Sequence, residues 1–150
     1  MQKKLKLKYA QLCAFGSTRK KNIKACNDEQ LKSLLDAGTD TVVIFGKSSA
    51  LHVREVLKTT LEENIAMIGE SVEFLVSSGC NVFFDAEHFF DGIKQNEAYT
   101  LKTIKTAAAA GASRIILCDT NGGTFPCAIK AGVKMALNAL DSTARSAGGG

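Results

Sequence analysis

The stretch TLEENIAMIGESVEFLVSSGCNVFFD, residues Thr60 to Asp85, decides the fold. Thr60 and Glu63 have the spacing of a capping box, in which each side chain satisfies a free backbone N–H of a first helical turn. Leu61, Ile65, Ile68, Val72, Leu75 and Val76 then recur on one helical stripe. Gly79 supplies the left-handed residue that closes a helix, and Val82 to Asp85 follow as a nearly continuous apolar run. The spacing predicts a helix over 61–77, a tight turn, and a strand buried on both faces.

The same unit recurs on either side. Ala37-Gly38 precedes a run from Thr41 to Phe45, and Ala110-Gly111 precedes a run from Arg114 to Cys118. A fourth apolar run extends from Ala10 to Phe15. Asn27 with Gln30 opens the helix that Gly38 ends, and Asn96 opens the one that ends at Gly111. Pro126 suits the first turn of a last helix, where its missing N–H has no helical partner. Strands alternating with helices imply βαβ units and a parallel sheet. Two α/β architectures fit: part of a (βα)8 barrel, or a small open doubly wound sheet. Residues 1–140 hold the alternating units, and the small, polar, Gly-ended segment 141–150 reads as a flexible tail.

Bulk properties exclude several classes. A chain of 150 residues that is 45% apolar has ordinary globular composition. No apolar run approaches the roughly 20 residues that cross a bilayer, and no long apolar stretch follows the basic start, so a cytoplasmic protein without membrane contact is expected. Five cysteines at scattered spacings, with no C-x-x-C pair, indicate neither a zinc site nor a disulfide framework. Cys13, Cys80 and Cys118 sit in or beside apolar runs as small hydrophobes. The net charge of +4 comes largely from Lys3/Lys4/Lys6/Lys8 and Arg19/Lys20/Lys21/Lys24. No aromatic residues interleave these clusters, so they read as solvated faces and no nucleic-acid partner is expected.

In either architecture chemistry collects beyond the carboxyl ends of the strands. There the sequence places Gly16-Ser17-Thr18-Arg19, then Gly46-Lys47-Ser48-Ser49 with His52, then Asp85, Glu87, His88 and Asp91, and lastly Asp119, Thr120 and Asn121. The loops at the opposite ends carry Gly, Ala, Ser and Thr with few reactive groups. Gly46-Lys47-Ser48 fails as a phosphate-cradling P-loop, because Thr41 stands where its first Gly is needed. Lys47 remains a candidate counter-charge for an anionic substrate. Asp85 and Glu87 alternate with Ala86 and so share one side of their strand, where a carboxylate can orient a hydroxyl or exchange a proton. His52 and His88 lack metal-ligand spacing and are expected to hydrogen-bond or support the fold. In Asp119-Thr120-Asn121-Gly122-Gly123, two glycines allow close backbone approach and Thr120 offers a hydroxyl, an arrangement suited to the carboxylate of a small acid.

Taken in order, Ala14-Phe15-Gly16-Ser17-Thr18-Arg19, Ile44-Phe45-Gly46-Lys47-Ser48 with His52-Val53, Thr59-Thr60-Leu61-Glu62-Glu63-Asn64, Asp85-Ala86-Glu87-His88-Phe89-Phe90-Asp91-Gly92 and Cys118-Asp119-Thr120-Asn121-Gly122-Gly123 resemble the citramalate synthase branch of the isopropylmalate synthase, homocitrate synthase and HMG-CoA lyase superfamily. The resemblance covers about residues 8–135. It implies a partial TIM (β/α)8 barrel of about four βα units, corresponding to strands three to six. It also implies condensation of acetyl-CoA with a 2-oxo acid, pyruvate in this branch; the alternatives are a 2-isopropylmalate synthase-like enzyme of the same superfamily, or a catalytically incompetent half-barrel that serves as an assembly or binding module. Glu87 is similar to the family's catalytic strand-five glutamate and Thr120 to the strand-six threonine that holds the substrate carboxylate. Asp85, Asn121, Lys47 and His52 are candidate substrate-binding neighbours. The family uses a divalent metal, Mg²⁺ or Mn²⁺. Its strand-one Asp and strand-seven His-x-His ligands have no counterpart here, so no metal-ligating residue is assigned. An intact barrel needs roughly 250 residues. A four-unit piece would therefore leave bare strand edges, and association through them, as a homo-oligomer or otherwise, is expected.

Overall fold

The computed structural model describes residues 7–147, with side chains as far as Asp141. Four strands form one sheet in the order β1-β2-β3-β4: β1 Cys13–Ser17, β2 Thr41–Lys47, β3 Asn81–Glu87 and β4 Arg114–Leu117. All three pairings are parallel. The helices are α1 Glu29–Asp36, the short α2 Ala50–His52, α3 Leu61–Ser77, α4 Phe89–Ala109 and α5 Pro126–Ala147. Residue 141 therefore falls within a helix, 148–150 lie outside the described residues, and so do Lys3, Lys4 and Lys6 of the first basic cluster.

The strand alternation sets the two faces apart. Val42, Ile44, Val82, Phe84 and Ala86 are buried against Leu31, Ile68, Val72, Leu75, Phe89 and Ile104 of the helices. On the other side Phe15 is 62% exposed, and Phe45, Asp85 and Glu87 are only partly covered. One face is thus a finished core and the other is open, so the strands are not buried on both faces as their apolar runs predict.

Helix ends follow local chemistry, with instructive departures. Thr60 caps α3 by accepting from the Glu63 N–H at 3.1 Å. The reciprocal half of the expected capping box is absent, because Glu63 turns outward to Arg19 Nη1 at 2.7 Å and to the Asn22 N–H at 3.0 Å. Asp28, rather than Asn27, caps α1, accepting from the Gln30 and Leu31 N–H groups. Its other oxygen takes the Lys20 N–H, which favours a carboxylate over an amide at this position. Gly38, Gly79 and Gly111 all have positive φ and close their helices as the sequence predicts. Asn96 leaves helical geometry (φ −156°, ψ 84°) and accepts from the Tyr99 N–H, so it does cap a helix. A further helical segment from Phe89 to Gln95 precedes it, which the sequence reading leaves out. The first strand also starts later than expected. Ala10 to Leu12 lie outside the sheet, since pairing begins at Cys13 opposite Thr41, the first residue of β2.

Candidate functional site at the carboxyl ends of the strands

Parallel register aligns Phe45 with Asp85 with Ile116, and one rung higher Lys47 with Glu87. That upper rung is an ion pair, Lys47 Nζ to Glu87 Oε2 at 2.6 Å, with the two side chains 14% and 23% exposed. Lys47 therefore partners Glu87 directly, instead of standing free for a substrate anion. Asp85 lies one rung lower. Its Oδ1 is buried and has no hydrogen-bond partner, and burial first, then the charge of Glu87, pushes its carboxyl above the usual value. The neighbouring Cys118 thiol is pushed up to about 11 by burial, with Asp85 and Glu87 adding to the effect. It is thus a neutral wall residue and a poor nucleophile.

Three loops meet beside this rung. His52, at the end of α2, stacks on His88 with ring centroids 3.6 Å apart and planes inclined by 21°. Burial, then His88 and Lys47, hold the His52 imidazole below its ordinary value. His88 occupies the left-handed region at φ 58°. Its N–H donates to Thr120 Oγ1 at 2.8 Å, and its Nδ1 lies 3.4 Å from Asp91 Oδ2. The same Asp91 oxygen accepts from Asn121 Nδ2 at 2.7 Å. Asp119 turns away from this cluster and ties down its own loop through the Thr124 hydroxyl and N–H.

The sequence-derived residues Glu87, Lys47, Asp85, His52, Thr120 and Asn121 all lie on this end of the sheet. Lys47 and Glu87 meet directly. Thr120, Asn121 and His52 are joined through His88 and Asp91, two residues whose linking role the sequence reading missed. The signal was present in the clustering of His88 and Asp91 after β3, but the stack joins positions 36 apart in sequence, beyond any local spacing rule.

Arg19 belongs to the opposite flank of the same mouth. It is only 4% exposed, with Nη1 on Glu63 and Nε on Glu70, both at 2.7 Å. It is therefore an internal tie between the loop after β1 and α3, which corrects its reading as part of a solvated basic face. Glu63 is held below the ordinary carboxyl range chiefly by the Arg19 hydrogen bond. Between this loop and the π-helical turn Val53–Leu57 lies a cavity of about 510 Å³, with Phe45, Ile23, Val56, Leu57 and Met67 on its apolar walls and Lys20, Lys21 and Lys47 around it.

The resemblance implies a divalent metal, and the described residues do not fit a complete ligand set. Among them, no three His, Cys, Asp or Glu side chains converge on a common point. The two imidazoles stack on each other, and His88 Nδ1 already faces Asp91. Glu87 is committed to Lys47. Among the described residues, no helix is long and apolar enough to cross a membrane.

Comparison with known proteins agrees with this architecture. Residues 4–146 match the family model described as HMGL-like. The chain is 55% identical over 124 residues to the (R)-citramalate synthase of Sulfolobus acidocaldarius, covering 83% of this chain and 24% of that protein. It is 35% identical over 98 residues to the 2-isopropylmalate synthase of the same organism, covering 65% and 25%. Among solved structures, the HMG-CoA lyase of Bacillus subtilis superposes with a TM-score of 0.67 at 14% identity, over 84% of this chain and 40% of that one. The chain spans about a quarter of the length of the curated relatives it matches, and its four parallel strands are part of a TIM barrel. It belongs to the HMGL-like family.

Proposed function

We propose that this chain supplies barrel strands three to six, and one wall of the active site, of a cytoplasmic acyltransferase that condenses acetyl-CoA with pyruvate to give citramalate. The observation that carries the reading is the placement of Glu87 and Thr120 on adjacent strand ends, within a segment 55% identical to an (R)-citramalate synthase. Thr120 offers its hydroxyl to the carboxylate of the 2-oxo acid. Glu87, at the end of the neighbouring strand, is the group assigned to hold or move a proton at the reacting groups, with Lys47 fixing its orientation. The apolar cavity beside Phe45, with Lys20 and Lys21 among its lining residues, suits the pantetheine arm and phosphates of the acyl carrier. The Mg²⁺ or Mn²⁺ implied by the family is assigned to residues beyond those described here.

The test is a chimera. The 124 aligned residues of this chain replace their counterparts in the Sulfolobus acidocaldarius relative, and thiol release from acetyl-CoA is followed with pyruvate. Turnover is expected, with Glu87→Ala lowering kcat by about 10²–10⁴-fold, the usual contribution of a positioned acid or base. A folded chimera inert toward pyruvate, or one indifferent to Glu87→Ala, overturns the proposal. The similarity to a 2-isopropylmalate synthase motivates a second reading, in which 2-oxoisovalerate is the better acceptor. The same assay decides between the two. The 150-residue chain by itself is expected to release no thiol above its Glu87→Ala control.

A further inference from the structure

His88 does more than occupy the end of β3. Its left-handed backbone is uncommon for a residue with a side chain and persists where the surroundings enforce it. The surroundings do so from two sides. Its ring lies flat on His52 from the loop after β2, and its Nδ1 faces Asp91, which is itself tied to Asn121 in the loop after β4. The residue is 7% exposed, so this arrangement is enclosed. The outcome of the unusual turn is that the His88 N–H points at Thr120 Oγ1, 2.8 Å away. A hydroxyl oxygen engaged as an acceptor still has one proton to give. Among the described residues no acceptor takes the Thr120 proton, and Thr120 is exposed.

We infer that His88 is a positioning residue: by donating its backbone N–H to Thr120 Oγ1 it commits that oxygen as an acceptor and leaves the hydroxyl proton for an anionic oxygen of the ligand. The ring of His88, held by His52 and Asp91, fixes the backbone turn that makes this possible. The inference rests on the proposed function for the identity of the anion, a small 2-oxo acid carboxylate. The His88–Thr120 geometry stands apart from it.

The experiment uses the ¹⁵N-labelled 150-residue chain and pyruvate as the probe. The residue-88 amide should exchange with solvent about ten-fold faster in Thr120→Val than in the parent, and Thr120→Ser should restore it to within about two-fold, as expected for removal and return of one hydrogen bond. Pyruvate should shift the amides of residues 120–123 saturably. Its apparent Kd should rise about ten-fold in His88→Ala, and about three-fold in His88→Asn, since Asn tolerates the left-handed turn but cannot stack. Circular dichroism checks that each variant is folded, and His88→Asn carries the test if His88→Ala is not. An unchanged residue-88 exchange rate in Thr120→Val overturns the positioning role, whatever pyruvate does. So does parental pyruvate affinity in a folded His88 variant when Thr120→Val has lost it. A parent chain without saturable shifts, or Thr120→Val binding as the parent does, overturns the carboxylate reading instead, and the exchange rates then decide the positioning role alone.

Discussion

At the scale of single residues, the inner wall carries groups whose ionisation the fold has altered. Asp85 is a carboxyl raised above its ordinary value of 3.8. The native state therefore holds its proton more tightly than the unfolded chain does, and stability falls as pH rises from 3.8 through the native value. Asp85→Asn should accordingly raise the urea midpoint at pH 7, and the gain should vanish below about pH 3.8. Parallel urea titrations at the two pH values check this, and a loss at pH 7 would refute it. His52 departs in the opposite sense: its depressed imidazole contributes stability that is present above 6.5 and lost as pH falls. The chain has only two histidines, so proton NMR resolves both. The His52 midpoint should lie below 6.5 and move upward in His88→Asn, which removes the stacked imidazole. The Lys47–Glu87 pair is mostly covered, so Lys47→Met should cost about 1–2 kcal/mol, between the values for exposed and buried pairs.

At the scale of elements, the helices register against the strand ends through close contacts. Gly92 is the tightest: a Cβ there would stand 2.5 Å from Thr100 Oγ1 and 2.6 Å from the Ser48 carbonyl oxygen. Thr100 itself donates to that carbonyl at 2.8 Å, joining α4 to the loop after β2. Gly92→Ala should thus destabilise by about 1–3 kcal/mol or more and shift the amide signals of Ser48 and Ser49, a combination that thermal melts and NMR can test. Most elements were legible beforehand because their signals are local. Thr60, Pro126 and the left-handed glycines act within a few residues of themselves, and the alternation of Asp85 and Glu87 about Ala86 places the two carboxylates on one side of their strand. What escaped depends on distant partners. Asp28 outcompetes Asn27 as a cap because it also reaches Lys20, and Glu63 abandons its own helix end because Arg19 is buried nearby. The π-helical turn at Val53–Leu57 has no apolar period of its own to announce it. Likewise the site residues could be placed on the correct end of the sheet, while their partnerships could not.

At the scale of the whole molecule, the sheet is complete on its helical face and open on the other. Phe15 and Leu12 are exposed near one edge, and an apolar hollow of about 450 Å³ framed by Ile115, Leu117, Val133 and Leu137 flanks the other. Unpaired parallel edges of this kind favour further strand pairing. The isolated chain should therefore elute from size exclusion above its 16.0 kDa monomer mass and bind a hydrophobic dye, and Phe15→Ser should reduce the dye signal. A monodisperse monomer silent toward the dye would contradict this.

The strand order has a consequence for how such a chain is made. Each strand lies beside the one synthesised just before it. No pairing has to wait for a distant part of the polypeptide, and each loop closed is the length of a single unit. A nascent chain leaving the ribosome can thus lay down its sheet in the direction of translation, every new strand finding its template already in place.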